Sequence, residues 1–248
     1  MPLRRNDQLW ANLPGIVAAY QPVRAPGPLL ARYNMAHGGD NRYRATDGTA
    51  PTWHGALGWQ FNGSSQYLAT GVVTTRTWSY LVRFASASAN LISLGVADET
   101  GGTHYDFIRP RNTTNRQYYL GEAGATVAGA QTSGVMGRAG VTCYLNGMAD
   151  GTISSLNAPP ALQHYIGALN FNGSAAQYHN GTILAQAFYS RTLSAAEVWT
   201  ASRQMAYCDV NPEWSVWGRR RQWFYGPQVG GFQAAWARNA NSVLQVGR

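Results

Sequence analysis

Lysine is absent from this chain of 248 residues, and acids are scarce: all 19 basic positions are arginine, against 11 Asp and Glu, which leaves a net charge of +8. Charged residues make up only 12% of the chain, against about 25% in ordinary globular domains, so a highly charged disordered chain is excluded. There are two cysteines, Cys143 and Cys208, too few for a disulfide framework and in no metal-like spacing. No apolar run approaches the length of a membrane-spanning helix. The N-terminal Met1-Pro2-Leu3-Arg4-Arg5-Asn6-Asp7 has no apolar core of a signal peptide, so the chain is expected to be made in the cytoplasm and not to enter a membrane. The five histidines, His37, His54, His104, His164 and His179, show no HxxxH or HxH spacing, and no G-x-S-x-G is present.

Glycine (28), tyrosine (14) and tryptophan (9) are plentiful instead, which suits a sheet protein with many turns. Gly15 to Tyr20 reads as a first short strand, and residues 21 to 55 hold Pro22, Pro26, Pro28, Gly38-Gly39, Asp47-Gly48 and Pro51, breakers that allow only short elements. Leu57, Trp59 and Phe61 alternate with Gly58 and Gln60, Asn62-Gly63-Ser64-Ser65 supplies a turn, and Gln66 to Thr70 follows, which predicts a hairpin. Further strands are expected at 78–84, 91–96, 105–108, 117–120 and 140–145, the last closed by Asn146-Gly147 and placing Cys143 among buried apolar residues. A spacing of roughly 10 residues with turn signals in each gap is the pattern of a sandwich. One helix is signalled: Ser194-Ala195-Ala196-Glu197 is a capping box, and Val198, Ala201 and Met205 recur at helical spacing to about Ala206. The reading is therefore all-β, with an N-terminal arm over 1–14, a sandwich over 15–207 and a C-terminal arm over 208–248.

Four segments in order then carry a resemblance. Gly55-Ala56-Leu57-Gly58-Trp59-Gln60-Phe61-Asn62-Gly63-Ser64-Ser65-Gln66-Tyr67-Leu68, Thr77 to Arg83, Val141 to Gly147, and Asn180 to Ile183 with Tyr189 to Val198 are similar to the successive motifs of laminin G-like, concanavalin A-like domains. The resemblance implies a concanavalin A-like jelly-roll β-sandwich with one short helix toward its C-terminal side and extended terminal arms. The departures also inform. His37-Gly38-Gly39-Asp40-Asn41 is at most a remote echo of the family's early Gly- and Asn-rich segment, and Ile183-Leu184-Ala185-Gln186 stands where relatives show an acidic step. Calcium needs several carboxylate oxygens, so no metal and no cofactor is expected. Glucanases of this fold carry an E-x-D-x-x-E strand; here Asp98-Glu99 fall in a turn, Asp106 stands alone and Glu197 is committed to the cap, so catalysis is not expected.

The C-terminal segment bears a second resemblance. Asn211-Pro212-Glu213-Trp214-Ser215-Val216-Trp217 followed by Arg219-Arg220-Arg221-Gln222-Trp223 looks like the endings of tailed-phage structural proteins that carry this fold. Trp214, Trp217, Arg219, Arg220, Arg221, Trp223, Phe224 and Tyr225 make a stretch too apolar for water and too charged to bury alone. It either folds back over its own sandwich or docks on a neighbouring subunit, with Trp and Arg as anchors. The resemblance implies a virion protein, a capsid decoration or tail-associated subunit, with other virion subunits and a second copy of itself as partners. Nucleic-acid binding by Arg219 to Arg221 would need a wider basic face and is not expected. The alternative is a module binding a cell-surface glycan, a frequent use of this fold, for which Trp53, His54, Tyr105, Tyr118, Tyr119 and Tyr178 are the candidates, each equally readable as a core residue.

Overall fold

The computed structural model describes residues 10–36, 43–88, 92–98, 104–154 and 157–208. Strands are numbered along the chain. One sheet holds β1 (Ile16–Tyr20), β3 (Thr52–His54), β4 (Gly58–Asn62), β6 (Ser79–Ala85), β11 (Gly134–Ala139), β12 (Thr142–Leu145), β13 (Met148–Thr152) and β17 (Asn180–Tyr189). The other holds β2 (Thr46–Asp47), β5 (Leu68–Ala69), β7 (Leu94–Asp98), β8 (His104–Asn112), β9 (Asn115–Gly121), β10 (Ala123–Ala128), β14 (Tyr165–Ile166), β15 (Leu169–Phe171) and β16 (Ser174–Ala176). The order across the first sheet is β13-β12-β11-β6-β17-β4-β3, with β1 also on β17; across the second it is β10-β9-β8-β7-β14-β5-β2, with β15 on β7 and β16 on β15. All pairs are antiparallel except β15 with β7. The all-β sandwich read from the sequence is the architecture found.

Between the sheets lies one apolar core that includes Trp59, Tyr80, Phe84, Leu94, Ile108, Tyr118, Leu120 and Phe188, all buried. Full burial of each such side chain contributes on the order of 1.5–3 kcal/mol. Cys143 is buried in β12, as the alternation Val141-Cys143-Leu145 predicts, and neither cysteine forms a disulfide. The tip joining β12 to β13 is the two-residue turn Asn146-Gly147, with both residues in the left-handed region at φ 51° and 84°, the geometry that matches strand twist.

Two helices flank the sheets, α1 (Pro28–Ala31) and α2 (Ala195–Ala206). The capping box forms in full: the Ser194 side chain accepts from the Glu197 backbone N–H, and the Glu197 carboxylate accepts from the Ser194 backbone N–H. Arg191 grips the same carboxylate with both terminal nitrogens at 2.9 and 2.6 Å, and these bonds hold the Glu197 carboxyl down to about 2. The helix turns Val198, Ala201 and Met205 inward and lies against β6, β11 and β13.

Two expectations are corrected. Residues 57–70 do not form a hairpin: β4 pairs with β17 and β3 in one sheet, whereas β5 pairs with β14 and β2 in the other. The intervening turn carries the chain across the sandwich, and the Asn62 side-chain oxygen accepts from the backbone N–H groups of Ser64, Ser65 and Gln66 at 3.0–3.3 Å. The turn chemistry is right, but it fixes only a reversal of the chain and not the partner on the far side. The expected N-terminal arm over 1–14 also ends too late. Trp10, Ala11 and Leu13 are buried in the core, Tyr189 donates its hydroxyl to the Trp10 carbonyl at 2.8 Å, and the Trp10 N–H bonds to Gln204. Of the expected C-terminal arm, Cys208 is described and buried; Trp214, Trp217, Arg219, Arg220, Arg221, Trp223, Phe224 and Tyr225 lie outside the described residues, as does His37.

Candidate functional site

Side-chain alternation decides what β8 and β9 present on each face. Asp106 and Ile108 on β8 and Arg116, Tyr118 and Leu120 on β9 point toward the first sheet, so Tyr105, Phe107, Arg109, Gln117 and Tyr119 stand on the outer face of the second. The inward set is chemically unusual. Asp106 takes both ends of the Arg138 guanidinium from β11 at 2.9 and 2.7 Å, the Tyr80 hydroxyl at 2.6 Å and the Thr74 hydroxyl at 2.7 Å, with His164 Nε2 at 3.3 Å. All five side chains are buried. Burial alone would raise the Asp106 carboxyl, but Arg138 and the hydrogen bond from His164 outweigh it and hold the group well below the usual carboxylate range. Asp106 does not stand alone, then: it is the hub of an ion-paired tie between the sheets, with no face open to a substrate.

A second tie joins β9 to β13. Arg116 makes a two-pronged pair with Asp150, and the Tyr118 hydroxyl donates to the same carboxylate at 2.6 Å and lies 3.1 Å from the Tyr144 carbonyl. Burial, then the bond to Asp150, push the Tyr118 hydroxyl far above its ordinary value. This corrects one candidate: Tyr118 is wholly buried and offers no ring to a ligand, because it lies one residue out of phase with Tyr119 on the same strand.

The outer face carries the open chemistry. Phe107 and Tyr119 stack with ring centroids 4.5 Å apart, and Tyr105 stands edge-on to both at 5.5 and 5.4 Å. Tyr105 and Tyr119 are half-buried, leaving part of each ring open. Glycine makes this layout possible at two places. A side chain at Gly95 would strike the Phe107 Cβ at 2.6 Å, and one at Gly124 would strike the Tyr119 ring at 2.7 Å. Beneath the rings Ile92, Ala97 and Leu169 form a small separate apolar cluster with Phe107. At one end Arg109 lies over the Phe107 ring, 5.3 Å from its centroid, and donates to Gln117 at 3.0 Å and to Gln177; Gln117 in turn donates to Thr126 at 3.3 Å. At the other end His104 lies 3.3 Å from Asp98 and 3.5 Å from Glu122. Among the described residues no three His, Cys, Asp or Glu groups are arranged to hold a metal.

The six candidates thus divide. Tyr105 and Tyr119 meet in the outer aromatic group. Tyr178 joins a second group on the β14 side of the same sheet, with Tyr67 stacked on Tyr165 at 4.6 Å and Tyr178 at 6.4 Å from Tyr67. Trp53 and His54 sit on β3 at an edge of the first sheet, where Trp53 packs against the core and spends its ring N–H on the Pro22 carbonyl at 2.9 Å, while His54 is exposed. Phe107, Arg109, Gln117, Tyr67 and Tyr165 were not singled out by the sequence reading. The alternation Tyr105-x-Phe107-x-Arg109 would have placed two of them with Tyr105 on one face.

No protein-family model matches the chain, and no curated protein matches it. Solved structures do. A mutant of Trypanosoma rangeli sialidase displaying trans-sialidase activity matches over 77% of this chain and 33% of its own length, at 16% identity and a TM-score of 0.53. Trypanosoma rangeli sialidase in complex with sialic acid matches over 79% and 33%, at 15% identity and a TM-score of 0.51. The Ruminococcus gnavus IT-sialidase CBM40 aligns over 51% and 82%, at 15% identity and a TM-score of 0.43. The chain spans about a third of the length of the trypanosomal sialidases it matches, and at these identities the likeness is one of fold. The fold of this chain is an all-β sandwich of two sheets.

Proposed function

We propose that this protein is a non-catalytic, lectin-like binding module that takes a saccharide on the outer face of its second sheet. The observation that carries the reading is the half-open aromatic group of Tyr105, Phe107 and Tyr119, bordered by the polar side chains of Arg109, Gln117 and Thr126. Apolar ring faces with a few fixed polar groups are the usual make-up of small-ligand sites. The placement of the carboxylates argues against hydrolysis: Asp106, Asp150 and Glu197 are each held by an arginine. The test is a glycan array with the full chain and with Tyr119→Ala and Tyr105→Ala. Binding that falls at least tenfold in both variants, whose melting stays cooperative, supports the reading; a blank array refutes it. Release of reducing sugar from any bound glycan would overturn the non-catalytic part.

A second reading is compatible with the first and comes from the C-terminal sequence. The run from Asn211 to Tyr225, with its alternating Trp and Arg, favours a structural subunit of a tailed-phage particle, a capsid decoration or tail-associated protein assembled in the host cytoplasm, with neighbouring virion subunits or further copies of itself as partners. Light scattering on the full chain and on a chain ending after Cys208 tests it. An assembly that becomes a folded monomer on truncation supports the virion reading. Two monomers count against it.

A further inference from the structure

On the outer face of the second sheet, no carboxylate among the described residues pairs with Arg109. Among the described side chains Asp106 is paired with Arg138, Asp150 with Arg116 and Glu197 with Arg191, and Asp98 and Glu122 lie beside His104. The Arg109 guanidinium instead holds two neutral amide oxygens, one from Gln117 and one from Gln177, and its Nε is buried with no acceptor at all. Two residues along, the Nε of Arg111 is also buried without a partner. Burial lowers the affinity of the Arg109 guanidinium for its proton, the sign expected of a cation half-withdrawn from water with no anion beside it.

Desolvating a cation is costly unless an anion compensates it, and the two glutamine oxygens occupy the positions that the oxygens of a carboxylate or sulfate would take. Gln177 is free to yield its place, because its side chain is exposed. Its backbone is in the left-handed region at φ 48°, sparsely populated for a residue with a side chain and a conformation that tends to persist at binding sites. The adjoining rings of Phe107 and Tyr119 give a sugar ring a surface to lie on while its acidic group reaches the arginine.

We infer that the saccharide taken by this face is an acidic one, a uronate, a carboxylated or a sulfated sugar, whose anion displaces Gln177 and pairs with Arg109. The inference rests on the proposed binding face and adds to it the chemical class of the ligand. Exchange of neutral for anionic acceptors roughly doubles the strength of each hydrogen bond, so the acidic glycan is bound at least tenfold more tightly than its neutral counterpart, about 1.4 kcal/mol.

The experiment uses the full chain and an array of paired glycans: uronates with their methyl esters, and sulfated and sialylated glycans with their unsubstituted forms. The acidic member of a bound pair is expected to win at least tenfold, and Arg109→Gln is expected to erase that margin. Gln177→Glu provides a variant at an exposed position, where the new carboxylate pairs with Arg109 and blocks the acidic ligand. Neutral members bound as well as acidic ones, or a margin that survives both substitutions, would overturn the inference and leave the glycan reading standing. Binding to no member of any pair removes both.

Discussion

Replacing Arg138 with methionine strips the charge from the tie between the sheets while keeping most of the buried volume. Asp106 would then remain buried with the hydroxyls of Tyr80 and Thr74 and with His164 as its companions, and the Trp78 carbonyl would lose a donor at 2.9 Å. Breaking a buried pair from one side costs about 3–5 kcal/mol. For a chain of this size that corresponds to a drop in Tm of roughly 6–20 °C, at about 2–4 °C per kcal/mol. The pH dependence should reverse as well. In the native protein Arg138 keeps the Asp106 carboxyl below its unfolded value, so its stabilisation is present above the unfolded pKa and lost only as pH falls through the folded one. Without Arg138, burial weighs against the charged carboxyl, so the part of the variant's stability that Asp106 contributes falls as pH rises through the raised folded value. Urea unfolding followed by tryptophan fluorescence from pH 4 to pH 8 reads both effects. A loss under about 1 kcal/mol at pH 7, or a difference between native and variant that does not grow from pH 4 to pH 8, would refute the assignment of this pair as the electrostatic link between the sheets.

Further outcomes follow from the same geometry. His179 is buried edge-on to Phe61, with Ser93 3.3 Å from its Nδ1, and burial lowers it to about 4. Protons therefore favour the unfolded chain as pH falls from about 6.5 to about 4, a loss on the order of 3 kcal/mol at about 1.4 kcal/mol per unit, and a pH series of unfolding curves should show this limb flattened in His179→Gln. Ser194→Ala removes the helix cap and should cost about 1 kcal/mol; an unchanged urea midpoint would contradict the capping role. Gly167→Ala places a Cβ 2.1 Å from the Phe61 ring at φ 80° and is expected to destabilise by more than about 1 kcal/mol, measurable as a lowered Tm, whereas Gly27→Ala, which meets nothing, should leave Tm in place.

What the sequence by itself determined is local. The capping box, the Asn146-Gly147 turn and the sites of most strands rest on bonds between residues a few positions apart, so the residues that make them are adjacent in the text. The resemblance motifs extended this to the order of the sandwich. Tertiary structure decided the rest. Turn residues at 62–65 reverse the chain equally well toward a neighbour in the same sheet or across to the other, and β4 and β5 take the second course because their partners, β17 and β14, lie 96 or more residues away in sequence. The two faces of β9 separate Tyr118 from Tyr119, and which face is the core is fixed by Arg116 and Tyr118 meeting Asp150 on β13. Asp106 gains its role from Arg138, and Arg109 its contact with Gln177, only when strands 30 or more residues apart along the chain are brought into register. A charge is isolated or paired according to the strand opposite it, and that pairing is a property of the folded sheets.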